Sequence, residues 1–516
     1  MKHWIIVNIL LLCGSIYAFS QPYKGEKLSR GLVGIPTEKG MYFSWRITLN
    51  DAPDLQFDLY RSTNGGTETK LNKAPISQTT DFLDETVDLK ADNIWILKAD
   101  NQIAATWIRT KEEELTPYLS IPIKKPEDGE IAGEHFFYTA NDCSVGDLDG
   151  DGEYEVILKW TPSNSKRPPQ RGFTGNTYLD AYKMDGTMLW RIDLGPNIRS
   201  GAATTNFLVF DFDGDGCAEV CCKTGDGTID GIGHVIGDSK NDWRTWDKES
   251  PTYGKIVNGP EYLTVFEGKT GRELDSKEYI PTRYPIDGWG GIGGNCGNDN
   301  TGGRSDRFTA GVAFLDGKNP SPVMVRGWYG RTVVAAWTFT NATLKSIWTF
   351  DSANPGLEKY SGMGNHSVTI ADFDGDGYDE VCVGAMTVDH DGKGLFTTGL
   401  RHGDALHAGR LIPSRPGMQV FGVHENEGDN EIVSRTPAVA MFDGATGEII
   451  WQDGLGKDAG RGVAADIDPR YEGAECWCNI GGLRRGDTGE FISNKKPNSC
   501  NFTIYWDADS LAELLD

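Results

Sequence analysis

The sequence has little of what a membrane protein or a nucleic-acid-binding protein needs. After residue 20, no apolar run reaches the roughly 20 residues that a transmembrane helix requires. Basic residues are scarce: 50 Lys and Arg face 75 Asp and Glu, which gives a net charge of −25. No basic patch is available for a phosphate backbone. We therefore expect no membrane span and no nucleic-acid partner, and cations are the more natural partners of the clustered acids.

The ten cysteines lack the spacing of a disulfide framework. Cys221 and Cys222 are adjacent, and Cys382, Cys476 and Cys478 lie in apolar runs, where cysteine behaves as a small buried hydrophobe. The spacing does not exclude a few individual disulfide bonds, but it predicts no scaffold of disulfides. Long stretches with a 3.6-residue period are almost missing as well. A chain of 516 residues with 38% hydrophobic residues can bury a large core, and the sequence predicts an all-β fold.

The first twenty residues have the pattern of a secretory signal peptide. Lys2 precedes an apolar run at residues 4–12, and Ala18-Phe19-Ser20 forms a small-residue cleavage site. We therefore expect residues 1–20 to be removed and the mature protein to be a secreted or periplasmic monomer.

One acidic pattern, D-x-D-G-D-G-x-x-E, occurs three times, and an apolar strand-like run follows each copy. Carboxylates at positions 1, 3, 5 and 9 can surround one Ca²⁺ with oxygen atoms. An EF-hand would place its last acid at position 12 between two helices. Acidic turns without metal are the alternative, and the recurrence favours calcium loops. The predicted Ca²⁺ ligands are Asp147, Asp149, Asp151 and Glu155; Asp211, Asp213, Asp215 and Glu219; Asp372, Asp374, Asp376 and Glu380; and, in a stretched fourth copy, Asp466, Asp468 and Glu475.

A second recurring element lies between these loops. Residues 184–190, 266–274 and 442–451, and more loosely 339–348, have an Asp-Gly-like turn between two apolar runs, which predicts hairpins. Segments from Leu315 and Arg410 resemble loop copies that have lost the acids. Repeats of a short antiparallel unit predict a calcium-stabilised β-propeller over 119–516. Residues 22–118 lack the loops and suit a small β-sandwich-like domain in front of it.

Five of the eight histidines fall between residues 366 and 424. His366, His402 with Asp404 and His407, and His424 with Glu425 stand in polar, Gly-rich segments, which favours metal or acid–base chemistry over hydrogen-bonded core histidines. Arg326, Arg331 and Arg461 can meet an anionic ligand, or be solvated surface residues. Several propeller functions remain open at this point, quinone-dependent dehydrogenases and adhesion propellers among them.

Longer segments resemble one family. "SVGDLDGDGEYEVILKWTPSNSK", "GNHSVTIADFDGDGYDEV", "GLRHGDALHAG" and "GRGVAADIDPRYEGAE" are similar to the family 11 polysaccharide lyases, the rhamnogalacturonan lyases, in order from Leu28 to the last residue. The resemblance implies an eight-bladed, calcium-bound propeller. It implies an enzyme that cleaves the rhamnose–galacturonate backbone of the pectin rhamnogalacturonan I by β-elimination.

The resemblance also implies residue roles. In β-elimination a cation neutralises the uronate carboxylate, a base removes the C5 proton and the C4 oxygen leaves. The implied catalytic residues are Arg461, His366 and His402, with Arg461 as either the cation that faces the uronate or the proton acceptor. The implied substrate-binding residues are Asn141, Arg331, Asp404 and Glu425, and the implied central Ca²⁺ ligands are His366, His402, Asp404 and Glu425.

The chain also departs from the family pattern. Thr161 stands where an acid is usual, and Ala203 and Thr204 replace a His and a Tyr. Family members continue for about two further blades, which include an Asn-Gly-Thr-Lys segment whose lysine is a candidate base. These departures imply a propeller that is incomplete here. They keep open a second interpretation, a non-catalytic pectin-binding propeller or an inactive truncated remnant.

Overall fold

A computed structural model describes residues 23–48, 51–290, 300–425, 436–505 and 511–515. Within these ranges the chain forms β-strands and two short 3₁₀ helices, Ile286–Gly288 and Glu358–Tyr360, and no α-helix. The predicted all-β fold is confirmed. No helix in the described part is both long and apolar enough for a membrane crossing. The predicted signal peptide lies outside the described residues.

Two small antiparallel sheets come first. Their strands are β1 (Val33–Thr37), β2 (Gly40–Ser44), β3 (Phe57–Thr63), β4 (Thr69–Lys70), β5 (Asp81–Asp84), β6 (Asn93–Ala99) and β7 (Gln102–Arg109). The strand orders are β1-β2-β5 and β4-β3-β6-β7. Phe43 of one sheet and Phe57 and Trp95 of the other share a single core. Two antiparallel sheets around one core form the β-sandwich-like unit that the sequence indicated.

A hairpin follows, and then a repeated unit of four consecutive antiparallel strands. The hairpin is β8 (Gly129–Ile131) and β9 (Glu134–Phe136). Sheet 1 is β10 (Tyr138–Gly146), β11 (Glu155–Pro162), β12 (Tyr178–Tyr182) and β13 (Met188–Asp193). Sheet 2 is β14 (Phe207–Phe210), β15 (Glu219–Thr224), β18 (Tyr262–Phe266) and β19 (Glu273–Glu278), while β16 (Thr228–Ile229) and β17 (Val235–Ile236) extend sheet 1.

The unit recurs along the rest of the chain. Sheet 3 is β20 (Phe308–Ala313), β21 (Ser321–Arg326), β22 (Val333–Thr340) and β23 (Thr343–Asp351). Sheet 4 is β24 (Thr369–Ala371), β25 (Glu380–Cys382), β26 (Met386–Val388) and β27 (Gly394–Thr397). Sheet 5 is β28 (Gly403–Gly409), β29 (Gln419–His424), β30 (Val439–Asp443) and β31 (Ile449–Asp453). Sheet 6 is β32 (Gly462–Ala465), β33 (Glu475–Cys478), β34 (Leu483–Arg485) and β35 (Phe491–Ser493), and a last pair is β36 (Phe502–Ile504) with β37 (Glu513–Leu515).

The first strands of successive units contact one another in chain order, from β10 through β14, β20, β24, β28 and β32 to β36. The apolar faces of neighbouring sheets share cores. One core joins Val323 of sheet 3, Val381 of sheet 4 and Val420 of sheet 5. This arrangement is compatible with the predicted propeller, in which each blade buries its faces on its neighbours. The number of blades and the domain boundaries stay predictions.

The acidic pattern and the hairpins occupy fixed places in the unit. The acidic loops join the first strand of a sheet to its second, and the predicted hairpins join the third strand to the fourth. We call them loop 1 (147–155, sheet 1), loop 2 (211–219, sheet 2), loop 3 (372–380, sheet 4) and loop 4 (466–475, sheet 6). The segments without acids occupy the same place in sheets 3 and 5. Because strands alternate in direction, these connections lie at one end of the sheets, here called the acidic end.

The segment before β1 runs along the acidic end. Lys24 N–H donates to the Lys318 carbonyl at 2.9 Å, and Ser29 N–H donates to the Gly152 carbonyl at 2.7 Å. Glu26 Oε1 accepts from Asp147 N–H at 3.0 Å. The segment therefore connects the small sandwich to the loops of sheets 3 and 1.

The eight cysteines of the described residues are all free, as the spacing led us to expect for most of them. Cys221, Cys222, Cys382, Cys476 and Cys478 are buried within strands. They pack as small apolar side chains, so the β-sheet core and not disulfide bonding holds this part of the fold.

Candidate functional site

Four side chains converge at the end of the sheets opposite to the acidic end. His366, His402, Asp404 and Glu425 each offer one ligand atom, and these atoms lie within 4.8 Å of one another. His366 precedes the first strand of sheet 4, His402 and Asp404 stand at the start of sheet 5, and Glu425 follows its second strand. The sequence singled out the same four residues, and the structure brings them together into what we call the His–carboxylate cluster.

Backbone contacts between sheets 4 and 5 bring the two histidines together. His366 N–H donates to the Gly403 carbonyl at 3.2 Å, and the two imidazole rings lie 5.1 Å apart. Arg401, directly before His402, has a φ of 70°, a left-handed conformation that non-glycine residues seldom adopt. Local strain of this kind is often retained where it aims a functional side chain. Here it turns the chain so that the His402 ring enters the cluster.

The hydrogen bonding of His402 fixes its tautomer. Its Nδ1 lies 2.7 Å from the Gly364 carbonyl, and a carbonyl only accepts, so Nδ1 carries the hydrogen. In the neutral ring the Nε2 lone pair then faces Glu425 Oε2 at 2.9 Å and Asp404 Oδ1 at 3.8 Å. A lone pair and two carboxylates repel one another unless positive charge lies between them. Two imidazoles and two carboxylates are also a common donor set for divalent metal ions, so the residues fit such an ion.

Aromatic rings form one wall of the cluster. The Tyr329 ring lies 4.2 Å from the His402 ring, and its hydroxyl is 3.3 Å from His366 Nε2. The Trp328 ring lies 4.7 Å from His366. Burial raises the pKa of Tyr329 to about 12, so the phenol stays protonated at neutral pH. The sequence analysis considered this segment only for its arginines and missed both rings, although Trp-Tyr inside a Gly-rich connection was a signal.

Arginines surround the cluster. The guanidiniums of Arg304 and Arg307 lie 4.3 and 5.2 Å from the Tyr329 ring centroid. The pKa of His366 is lowered to about 3, first by its burial and then by nearby positive charges, including those of Arg307 and Arg461. His366 is therefore neutral at neutral pH and suits a ligand better than a proton carrier. Sequence reasoning missed Arg304 and Arg307, because no local motif distinguishes them from surface arginines.

Arg461 lies in the segment that leads into the first strand of sheet 6, at the same end as the cluster. A Cβ added to its neighbour Gly460 would be 3.2 Å from Asp404 Oδ2, so this backbone packs closely on the cluster. The Arg461 side chain is exposed. The position of its guanidinium suits contact with an anionic ligand bound at the His–carboxylate cluster. This role of Arg461 stays a prediction.

Two other arginines have structural partners. Arg326 is fully buried, and its Nη1 is 2.7 Å from Glu261 Oε2, so the interpretation of Arg326 as an anion receptor is wrong. Arg331 forms a two-pronged ion pair with Asp351 at 3.0 and 2.6 Å. Each guanidinium is thus committed to a carboxylate distant in the chain, and the structure does not bring Arg331 into the His–carboxylate cluster.

The remaining predicted residues near this end divide in two. Asn141 is exposed in β10 and accepts from the Thr161 hydroxyl at 3.1 Å, at the same end as the cluster but without a described contact to it. His407 donates to the Gly462 carbonyl at 2.8 Å and ties sheet 5 to sheet 6. His424 is 1% exposed, and burial lowers its pKa to about 4. The alternative of a hydrogen-bonded core histidine holds for His407; His424 is also in the core, but neither of its ring nitrogens has a hydrogen-bond partner among the described residues.

The acidic loops share one internal geometry at the acidic end. In loop 1, Asp147 accepts from the backbone N–H groups of Gly150 and Gly152 at 2.8 and 2.9 Å, and Glu155 Oε2 accepts from Leu148 N–H at 2.8 Å. Loops 2 and 3 repeat this pattern at the corresponding positions. The acids at positions 1, 3 and 9 then come within 4.8 Å of one another in all three loops. These are groups that can hold a metal ion.

The last acid of each loop is buried. Burial raises the pKa of Glu219 to about 9, that of Glu380 to about 8 and that of Glu475 to about 7. Glu380 Oε1 and Asp149 Oδ1 have no hydrogen-bond donor among the described residues. A buried carboxylate oxygen without a donor is costly, and a cation would satisfy it. The residues of the loops therefore fit a divalent cation.

Position 5 and loop 4 differ from the prediction. Asp151 and Asp215 fall outside the close groups, and Asp376 groups instead with Glu380 and His390. In loop 4 the structure does not draw the described acids into such a group: Asp468 pairs with Arg470, which lowers the pKa of Asp468. Asp466 Oδ1 and Glu475 Oε1 are nevertheless buried without a hydrogen-bond donor among the described residues, so the ligand roles of Asp466, Asp468 and Glu475 stay predictions.

Comparisons with known proteins agree on one family. Residues 118–516 match the family model described as rhamnogalacturonan lyase family 11, C-terminal domain, and residues 23–98 match that of the rhamnogalacturonan I lyases beta-sheet domain. Two Bacillus subtilis proteins are similar along 95% of the chain: the rhamnogalacturonan exolyase YesX, 47% identical with 77% of its length covered, and the rhamnogalacturonan endolyase YesW, 46% identical with 75% covered.

Solved structures show the same relationship. A crystal structure of YesW has a TM-score of 0.84, with 46% identity over 96% of this chain and 80% of that one. The Bacillus licheniformis rhamnogalacturonan lyase PL11 has a TM-score of 0.86, with 50% identity and the same coverage of both chains.

Proposed function

This chain belongs to rhamnogalacturonan lyase family 11, and from that premise we propose that it cleaves the rhamnose–galacturonate backbone of rhamnogalacturonan I by Ca²⁺-assisted β-elimination. It is an enzyme of the polysaccharide lyase class. The observation that carries the mechanism is the convergence of two histidines and two carboxylates beneath a set of arginines. An acidic protein can bind an acidic polymer if its arginine side chains and bound metal ions contact the uronate carboxylates.

The reaction needs fixed positive charge beside the galacturonate carboxylate. The C5–H bond breaks towards a base, its electron pair forms the C4=C5 double bond, and the C4–oxygen bond breaks with protonation of the leaving oxygen. The electron-rich intermediate is the high-energy species, and preorganised cations stabilise it. A divalent cation held by the His–carboxylate cluster would supply such charge.

The chain's own residues supply orientation and further charge. Gly364 holds His402 in one tautomer, and the buried Trp328 and Tyr329 rings pack against the two imidazoles and hold them in place. Arg461 faces the uronate carboxylate as a second cation, since a guanidinium stays charged at neutral pH. His366 acts as a ligand, because its low pKa makes it a weak base.

The test is a lyase assay of this chain on rhamnogalacturonan I, with Ca²⁺ or with a chelator. The double bond of the unsaturated uronate absorbs ultraviolet light, and calcium-dependent growth of that absorbance is the expected result. A flat trace from folded, substrate-binding protein would instead favour a non-catalytic binding module. Product size and viscosity would separate internal cleavage from cleavage at chain ends, the two modes named for the relatives.

Replacing Arg461 by alanine is expected to lower kcat/KM by about 10²-fold, the usual effect of removing one charge-stabilising donor. Arg461→Lys should recover part of the rate, because it keeps the charge but loses the planar fork. The matched control is Arg470→Ala, an exposed arginine paired with Asp468 at the acidic end. Equal losses in the Arg461 and Arg470 variants would contradict a role for Arg461 in the reaction.

We also propose that the protein is exported and that residues 1–20 are its signal peptide, as the Lys2, apolar and small-residue pattern supports. N-terminal sequencing of the natively produced protein should find Gln21 first. Retention of the leader on the cell-associated protein would contradict this. The proposed monomer is checked by sedimentation.

A further inference from the structure

Two arginines beside the His–carboxylate cluster have no acidic partner. Arg304 and Arg307 lie in the segment before the first strand of sheet 3, with guanidiniums 4.3 and 5.2 Å from the Tyr329 ring centroid. Arg307 Nε donates to the Gly303 carbonyl at 3.0 Å. Among the described residues neither guanidinium forms an ion pair with a carboxylate, unlike the two structural arginines described above.

Burial makes this positive charge costly. The Arg307 side chain is only 9% exposed. Burial lowers its pKa, and the neighbouring charge of Arg304 acts in the same direction. A guanidinium nevertheless stays protonated in a protein. Two cations close together, without a carboxylate between them, are stabilised when an anionic ligand binds.

The acid nearest to the two arginines in the chain is directed elsewhere. Asp306 precedes Arg307, but its Oδ1 lies 3.5 Å from Nη2 of the buried Arg326. Arg326 Nε also donates to the Ser305 carbonyl at 2.7 Å. Arg326 therefore fixes this segment by its backbone, and it also holds the one carboxylate of the segment that would otherwise pair with the two arginines.

A buried charge network holds Arg326 in place. Glu261 Oε2 accepts from Arg326 Nη1 at 2.7 Å. Glu261 Oε1 lies 2.9 Å from Arg283 Nη2 and 3.3 Å from Lys223 Nζ. Together with Asp306, the network contains three basic side chains and two carboxylates. It therefore has no spare negative charge with which to neutralise the two arginines beside the cluster.

These two arginines and Arg461 approach the cluster from different sheets. Arg304 and Arg307 precede the first strand of sheet 3, and Arg461 precedes that of sheet 6, while the cluster belongs to sheets 4 and 5 between them. In a backbone of alternating rhamnose and galacturonate, successive carboxylates are separated by one neutral sugar. One bound chain can therefore present one carboxylate to Arg461 and the next to the other two arginines.

We propose that Arg304 and Arg307 form a second anion site, which binds the carboxylate of the next galacturonate along the chain from the one that reacts. Arg326 is a positioning residue that keeps this site open. The inference rests on the proposed action on rhamnogalacturonan I and adds residues that bind substrate without moving a proton. Because the second carboxylate gains no charge in the reaction, the site strengthens binding and leaves kcat unchanged.

The first test compares steady-state kinetics on rhamnogalacturonan I. Arg304→Gln and Arg307→Gln should each raise KM about tenfold, the usual effect of losing a charge-assisted hydrogen bond. The kcat of both should stay within about threefold of the wild type. Arg470→Gln, which changes an exposed arginine paired with Asp468, is the matched control and should alter neither constant. An unchanged KM in both variants would overturn the second site. A loss confined to kcat would overturn it as well, because the arginines would then act on the reacting uronate.

The second test removes the charge from the ligand instead. Affinity electrophoresis is run through gels that contain native polymer or polymer whose carboxyl groups have been reduced to alcohols, with the slowly cleaving Arg461→Ala protein as the parent. Adding Arg304→Gln or Arg307→Gln should weaken binding to native polymer about tenfold and leave binding to reduced polymer unchanged. Equal losses on both gels would overturn the site. Arg304 is only half-buried, so its variant decides the test if Arg307→Gln does not fold.

Failure of this inference is distinguishable from failure of the proposed function. Binding and cleavage that do not depend on Arg304 and Arg307 would remove the second site alone. A parent protein that binds neither polymer, together with a wild type that forms no unsaturated product, would remove the proposed function and the second site with it.

The third test addresses Arg326 by rescue. Arg326→Met releases Asp306 to pair with the two arginines, so KM should rise, and Asp306→Asn in the same protein should restore it. A merely structural role for Arg326 predicts lower stability without this rescue. If the methionine variant does not fold, Arg326→Lys is measured in the same way, since a lysine can pair with Glu261 but lacks the planar fork that also reaches Ser305. A wild-type KM in the folded variant, or a raised KM that Asp306→Asn does not restore, would overturn the positioning role.

Discussion

The His402→Ala variant is expected to lose about 10³-fold of the lyase rate at saturating substrate. His402 is the best-fixed member of the His–carboxylate cluster, since it is 0% exposed and Gly364 determines its tautomer. Its removal takes away a nitrogen ligand, so the cation is held less tightly. The carboxylates of Asp404 and Glu425 then repel each other more strongly. The loss of charge stabilisation then falls on kcat, because the cation acts mainly on the developing negative charge.

A matched variant separates this effect from misfolding. Glu425→Gln keeps the shape of the side chain but removes its charge, and it should lower the rate by a similar factor. Thermal unfolding and circular dichroism of both variants should stay close to the wild type. His135→Ala, which changes an exposed histidine far from the cluster in sequence, is the control. A His402→Ala enzyme with more than about a tenth of the wild-type rate would contradict the assigned site.

Chelation is expected to lower the unfolding temperature by about 10 °C, since each tightly held ion contributes about 4 kcal/mol at about 1,000 times its Kd. Within loop 2, and likewise within loop 3, three acids lie close together. The segment before β1 rests on loop 1. Without cations these carboxylates repel one another, and the sandwich loses part of its attachment. Differential scanning calorimetry with and without chelator measures the effect.

The loss in chelator should grow as pH rises. Burial raises the pKa of Glu380 to about 8 and that of Glu219 to about 9 in the folded protein, against 4.5 when the groups are free. The folded state therefore holds more protons than the unfolded state above about pH 4.5, so stability falls with increasing pH up to about pH 9. With Ca²⁺ bound the carboxylates stay ionised, and this slope should vanish.

Glu380→Gln provides the check on that interpretation. A glutamine does not titrate, so the variant should show a shallower pH dependence in chelator and a smaller gain on adding Ca²⁺. A wild type whose unfolding temperature is the same with and without chelator at about pH 8 would rule out cation-dependent stability.

Much of the candidate site was visible in the sequence because chemistry-bearing residues clustered in short polar segments. His366, His402, Asp404 and Glu425 came from that clustering together with the family resemblance. Trp328 and Tyr329 did not, because an aromatic pair in a turn has many structural uses. Arg326 was misassigned because its partner Glu261 lies 65 residues away in the sequence, and no local sequence pattern predicts that ion pair.

The sequence by itself determined the repeated unit of this protein. The acidic loops and the Asp-Gly hairpins are held by hydrogen bonds within a few residues, such as those from Gly150 and Gly152 to Asp147, so a short segment specifies each one. The tertiary structure decided which segments meet. His366 and Glu425 become neighbours because sheets 4 and 5 pack side by side with their ends aligned. That packing depends on many apolar contacts spread along the chain, which no single motif contains.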